Sequence, residues 1–264
     1  MKIRPMILLL TLFIFPSIAL SEEIKVSQGQ PERNPYIEIE GRYWMPALSG
    51  MIKKGDGLVG SDVNIIDTLG IKEDQQFFQG KATLKFLGIN RIRVSYLPLS
   101  IDGSRVITES FVFNGKTYTV DTLVKSNVDV KLFKIGYGLD FISNPMGYLG
   151  VFIDLNYADV SATISAPDRG FSGSGSVTGY LPAIGIGGRV YLIPAKLSLT
   201  GEIGGIQISN LGRYIEADVS IDYRLIENLG LSVGYKTIDI KAEKDDDKGE
   251  LTLTGPYFSL FLRF

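Results

Sequence analysis

Residues 214–225 read YIEADVSIDYRL. Ile215, Ala217, Val219, Ile221, Tyr223 and Leu225 alternate with Glu216, Asp218, Ser220, Asp222 and Arg224. Successive side chains of a strand point to opposite faces, so this segment has one apolar face and one charged face, and its period of two argues for a strand over a helix. The pattern recurs outward from there. Phe78, Gly80, Ala82, Leu84 and Phe86 alternate with Gln79, Lys81, Thr83 and Lys85. Phe133, Ile135, Tyr137, Leu139 and Phe141 alternate with Lys134, Gly136, Gly138 and Asp140. Val151, Ile153, Leu155 and Tyr157 alternate with Phe152, Asp154 and Asn156, and Ile92, Val94 and Tyr96 stand against Arg91, Arg93 and Ser95. With 30 glycines and poor helical spacing throughout, the chain reads as all-β.

Turn residues divide it into strands near 36–45, 77–87, 91–113, 117–142, 147–166, 174–193, 196–208, 212–225, 229–243 and 250–264. Tight turns at Gly88-Ile89-Asn90, Asn144-Pro145-Met146-Gly147, Pro194-Ala195 and Glu227-Asn228-Leu229-Gly230 would lie at one end. The other end would hold segment 46–76, the Gly/Ser-rich stretch 167–175, a hairpin tip at Asn114-Gly115 and the acidic run from Asp245. An antiparallel up-and-down barrel of ten strands, with eight as the alternative count, satisfies this layout. Short turns at one end and longer loops at the other are the asymmetry of a transmembrane barrel, with the short turns in the periplasm.

The N-terminus fits that destination. Lys2 and Arg4 precede an apolar run from Met6 to Phe15, which ends at Pro16-Ser17, and the small residues Ala19 and Ser21 follow. This is the layout of a secretory signal peptide, residues 1–21 with cleavage after Ser21. Residues 22–34, polar and patternless, read as a flexible periplasmic leader, and 35–264 as one barrel with a long extracellular loop at 46–76. Losing Lys2 and Arg4 takes the charge balance from 27 basic and 29 acidic to 25 against 29, a net of −4, which argues against nucleic acid as a partner. The chain has no Cys, which excludes disulfides, thiolate nucleophiles and a lipid-anchored N-terminus, and no His, which removes the usual general base and the commonest metal ligand. Beyond the signal peptide no apolar run approaches the roughly 20 residues of a membrane helix.

The final strand runs Gly255-Pro-Tyr-Phe-Ser-Leu-Phe-Leu-Arg-Phe264, with Phe258, Leu260, Leu262 and Phe264 on one face and Ser259 and Arg263 on the other. An apolar alternation closing on a terminal Phe resembles the assembly signal of bacterial outer-membrane β-barrel proteins, including the small OmpA-like and OmpW-like barrels. The resemblance implies recognition of Phe258, Leu260, Leu262 and Phe264 by the barrel-assembly machinery, residence in a Gram-negative outer membrane among lipid and lipopolysaccharide, and a monomer. A soluble lipocalin-like barrel is the rival architecture. Its Gly-x-Trp start is not matched, because in Gly41-Arg42-Tyr43-Trp44 the Trp falls one place late.

With the apolar face on lipid, the lumen would hold Glu38, Glu40, Arg42, Lys81, Lys85, Arg91, Arg93, Lys134, Asp140, Asp154, Arg189, Glu202, Glu216, Asp218, Asp222, Arg224, Lys236 and Arg263. A one-signed ring would suggest ion selectivity, whereas this mixture of signs suggests an ion-pair network filling a narrow barrel. Gly136, Gly138, Gly185 and Gly187 share that face and leave room for long side chains or for solute. Tyr36, Tyr43, Trp44, Tyr96, Tyr148, Tyr157, Tyr191, Tyr223 and Tyr257 read as an interfacial aromatic girdle. Gly55-x-Gly57-x-x-Gly60 matches a dinucleotide fingerprint only formally, since no βαβ unit surrounds it, and the acids from Asp245 to Glu250 lack EF-hand spacing. No cofactor is expected. Three functions stay open: a non-enzymatic structural or surface-interaction barrel, which the plugged lumen favours; a narrow pore for small solutes; and an outer-membrane enzyme. Ten-stranded barrels resemble the omptin proteases in strand number, but that family's chemistry uses His. Only carboxylates such as Glu216, Asp218 and Asp222 are here to do acid–base work.

Overall fold

The computed structural model describes residues 36–53, 62–113, 116–208, 212–244 and 247–264; the expected signal peptide and leader lie outside them. Fourteen strands form: β1 (Tyr36–Trp44), β2 (Ala47–Lys53), β3 (Asp62–Asn64), β4 (Phe77–Phe86), β5 (Asn90–Val106), β6 (Phe111–Phe113), β7 (Lys116–Tyr118), β8 (Leu123–Asn144), β9 (Gly147–Ala166), β10 (Phe171–Ile193), β11 (Leu197–Ile208), β12 (Gly212–Arg224), β13 (Leu229–Lys244) and β14 (Asp247–Arg263). In the order β1-β4-β5-β8-β9-β10-β11-β12-β13-β14 they make an antiparallel sheet that closes through β1 and β14, from Glu38↔Arg263 to Trp44↔Tyr257. The barrel therefore has ten strands, and the count of eight is set aside.

The connections from β4 to β5, β8 to β9, β10 to β11 and β12 to β13 are short and lie at one end. Leu87 and Gly88 take positive φ (49° and 78°) between the paired Phe86 and Asn90, and Asn144 pairs with Gly147 across Pro145-Met146. At the other end the strands are much taller than the roughly 9–11 residues a tilted strand needs to cross a bilayer. β8 has 22 residues and β10 has 23.

Within these tall strands the alternation keeps its period and inverts its polarity. On β8 the outward residues are Phe141, Leu139, Tyr137, Ile135 and Phe133, then Lys131, Asp129, Asn127 and Lys125. The inward residues change at the same height, from Asp140 and Lys134 to Leu132, Val130, Val128 and Val124. β5 and β9 switch in step, because Tyr96, Phe133, Tyr157 and Tyr180 stand opposite one another across four adjacent strands. That aromatic row marks where the outer surface stops being apolar. Below it the barrel is oily outside and charged inside; above it, polar outside and oily inside.

The upper interior is thus an ordinary hydrophobic core, containing Leu97, Leu99, Ile101, Val124, Val130 and Ile164. The described parts of segment 46–76, residues 46–53 and 62–76, pack into it. β2 continues the line of β1 along β14, from Ala47↔Thr254 upward, and Leu48, Ile65, Leu69 and Ile71 turn into the collar and are buried. Gly103 on β5 makes room for this, since a Cβ there would strike the Leu69 carbonyl and the Ile71 side chain.

Three expected boundaries change. The strand expected over 91–113 stops at Val106, the next begins at Leu123 rather than at 117, and between them β6 and β7 form a separate hairpin. Phe111 and Tyr118 stack at 4.9 Å, and the Tyr118 hydroxyl donates to the Ile164 carbonyl (3.0 Å), which ties this hairpin to the collar. The Gly/Ser-rich stretch expected as a loop over 167–175 is a three-residue 3₁₀ turn, Pro167–Arg169, followed directly by β10, so that Phe171 already pairs with Ala166. The expected hairpin tip Asn114-Gly115, the glycines at 55, 57 and 60, and Asp245-Asp246 lie outside the described residues.

Candidate functional site

Below the aromatic row, the inward positions of all ten barrel strands converge on one charged cluster. At the short-turn end Glu38 accepts from two arginines, Arg189 (Nη2–Oε1 3.3 Å) and Arg263 (Nε–Oε2 2.8 Å). Arg189 also lies 3.6 Å from Asp222, whose carboxylate takes hydrogen bonds from the hydroxyls of Thr200 (2.5 Å) and Ser220 (2.8 Å). On the opposite wall, Lys85 and Arg91 converge on Asp140 at 3.2 and 2.8 Å, as ion pairs rather than aligned hydrogen bonds.

Arg93 occupies the middle. It clamps Asp154 through Nε (2.9 Å) and Nη2 (2.5 Å), and reaches Glu202 through Nη1 (2.9 Å). Above it Glu216 joins Lys134 and Lys236, the latter at 3.1 Å, and accepts from the Tyr214 hydroxyl (2.5 Å). Lys236 is held further by Gln79 Oε1 at 3.0 Å. Arg42 bridges Glu40 (2.6 Å) and Asp218, Lys81 lies 3.7 Å from Glu40, and the Tyr257 hydroxyl donates to Asp218 (2.6 Å). Of the charges expected in the lumen, Arg224 alone stands apart from this network, half-buried beside the 225–228 turn.

Aromatic rings form a second layer. Arg93 lies over Phe152 (3.7 Å), Arg42 over Tyr257 (4.2 Å), Arg91 over Tyr148 (4.3 Å), Arg263 over Tyr36 (5.1 Å) and Lys236 over Trp44 (5.2 Å). Tyr36, Trp44, Tyr148, Tyr191 and Tyr257 are therefore interior residues and do not belong to the girdle in which the sequence reading put them; Tyr43, Tyr96, Tyr157 and Tyr223 do face outward. Strand parity carries the signal: Tyr148 is in phase with Asp154, and Tyr257 with Arg263. Glycines form a third layer. A Cβ on Gly185 would fall on the Phe152 ring, and one on Gly136 on the Asp154 carboxylate.

Among these side chains lie a cavity of about 60 Å³ bordered by residues such as Glu40, Arg93 and Glu202, and a second of about 20 Å³ beside Phe152 and Asp154. That is room for a few waters.

No protein-family model matches the chain, and no curated protein matches it in sequence. Among solved structures, the outer membrane protease OmpT of Escherichia coli aligns with a TM-score of 0.54 at 11% identity, over 91% of this chain and 99% of that one. The chain has the outer-membrane β-barrel fold. Other outer-membrane barrels align with lower scores. For the translocator domain of the autotransporter NalP of Neisseria meningitidis the TM-score is 0.46 at 12% identity, covering 88% of this chain and 90% of that one. For Ail, the attachment invasion locus protein of Yersinia pestis, it is 0.38 at 12% identity, covering 88% and 100%. In this barrel, carboxylates that could serve as an acid–base pair are each committed to a cation: Glu216 to Lys134 and Lys236, Asp218 to Arg42, and Asp222 to Arg189.

Proposed function

We propose that this protein resides in the outer membrane of a Gram-negative cell as a closed, non-enzymatic barrel, a structural or surface-interaction element that presents its collar to the exterior. One observation carries the reading: the ion-pair network crosses the lumen, and the two cavities among its side chains hold about 60 and 20 Å³, room for a few waters rather than for a solute. Open aqueous channels belong to much wider barrels. The apolar core of the collar adds a second closure above the first. Against an enzyme stands the chemistry. The alignment with a protease is one of fold, the chain has no His, and its lumen carboxylates are neutralised in place.

Single-channel recording of the refolded mature chain in a planar bilayer tests this. A folded, heat-modifiable barrel that inserts and stays silent is the expected result. Reproducible conductance steps that change on neutralising Arg42 or Arg93 would make it a narrow pore, and failure to insert would overturn the membrane placement itself.

A further inference from the structure

The barrel wall has a notch at the lipid boundary. β4 and β5 pair from Phe86↔Asn90 up to Gly80↔Tyr96, and there the ladder stops. β5 continues to Val106 with β8 on one side, while among the described residues its other side meets only the single bridge Ile71↔Gly103. Pro98 sits where the pairing ends. A proline has no N–H for a ladder and is confined in sheets to positions whose nitrogen faces no partner, so the notch is written into the sequence. The chain entering β4 swings away and leaves a recess of about 470 Å³ between Phe77, Phe78 and Pro98 on one side and Asp129, Lys131 and Asp159 on the other.

Two features define what fits there. The first is position. The recess opens directly above the row Tyr96–Phe133–Tyr157, and Phe78, 70% exposed, stands between it and the lipid-facing wall. Amphiphiles are the solutes concentrated at that height, and an apolar tail can pass along Phe78 without crossing water. The second is charge. Asp129 accepts from Ser100 (2.6 Å) and Lys131 stands opposite Asp159, so the polar wall offers two carboxylates and one ammonium. A purely anionic head meets net repulsion, whereas a zwitterionic head can place its ammonium on the carboxylates and its phosphate on Lys131. The volume falls within the roughly 300–1,000 Å³ of small-ligand sites.

We propose that this recess binds one single-chain zwitterionic amphiphile with a phosphoethanolamine or phosphocholine head, its tail along Phe78. The inference rests on the membrane placement proposed above, which heat-modifiable mobility of the refolded barrel establishes first and separately. The test is native mass spectrometry of the barrel released from a non-ionic micelle containing lysophosphatidylethanolamine or lysophosphatidylglycerol of equal chain length. One bound lysophosphatidylethanolamine per barrel is expected, retained about tenfold better than the anionic lipid, and retention should fall about tenfold in Phe78→Asp and in Ser161→Lys. Ser161 faces solvent above the aromatic row, so its variant reports even if Phe78→Asp fails to insert. Equal retention of the two heads, or retention unchanged in Ser161→Lys, would mean an unspecific lipid coat and overturn the proposal.

Discussion

The ring of Tyr257 occupies the space that a Cβ on Gly234 of the neighbouring strand would need, and the Arg42 guanidinium lies over that ring at 4.2 Å. Any side chain at 234 would push the ring into Arg42 and through it disturb the pairs with Glu40 and Asp218. Overpacking a filled interior costs about 1–3 kcal/mol. Gly234→Ala is therefore expected to lower the unfolding free energy of the refolded barrel by that amount, read as a lower urea midpoint. Gly41→Ala, on the outer face where a Cβ meets nothing within 4 Å, should leave it unchanged.

Glu38 pairs with both Arg263 and Arg189, and it shares Arg189 with Asp222. All of these groups are nearly buried. Removing one partner of a buried pair leaves uncompensated charge and costs about 3–5 kcal/mol. Glu38→Gln should destabilise the barrel on that scale, whereas Arg224→Gln, outside the network, should be close to neutral. Equilibrium unfolding of both variants in the same detergent checks the contrast.

Ten strands, the terminal alternation and the inward set of charges could all be read from residue parity, because a period of two survives any tilt or twist of the sheet. The collar could not. On β8 the apolar residues move from the odd positions at Phe133 and Ile135 to the even positions at Val130 and Val128. Over the whole strand the two phases cancel, and alternation by itself does not say which face meets lipid. The role of segment 46–76 was hidden for a different reason. Leu69 and Ile71 are buried by contacts with β5 distant in sequence, and no local pattern announces such contacts. The inward tyrosines were legible but misread, since a tyrosine near a strand end suits a girdle and a lumen equally until its parity is compared with Asp154 or Arg263.

The inversion of polarity sets where charge is tolerated on one and the same outer face. Ile135 lies on the apolar belt of β8, and Asp129 three outward positions above it. Arg or Lys at the midplane of a barrel costs about 2–4 kcal/mol, and little beyond the interface. Ile135→Lys, one outward position inside the boundary row, is expected to cost part of that, about 1–2 kcal/mol, in lipid vesicles and Asp129→Lys almost nothing. Equal costs would displace the membrane boundary from the Tyr96–Phe133–Tyr157–Tyr180 row.

The two closures lie in series, and this makes their removal non-additive. The lower one is electrostatic, built around Arg42 and Arg93; the upper one is apolar, built from Leu69 and Ile71 against the collar core. Replacing residues 62–72 by a short Gly/Ser linker opens the collar but leaves the ion-pair network intact. Arg42→Ala with Arg93→Ala thins the network but leaves an apolar constriction, which excludes ions by dewetting. Each variant alone is expected to stay silent in a planar bilayer, and only their combination should give discrete conductance steps. Steps from the linker variant alone would show that the charged network does not seal, whereas steps from the double arginine variant alone would show that the collar core does not.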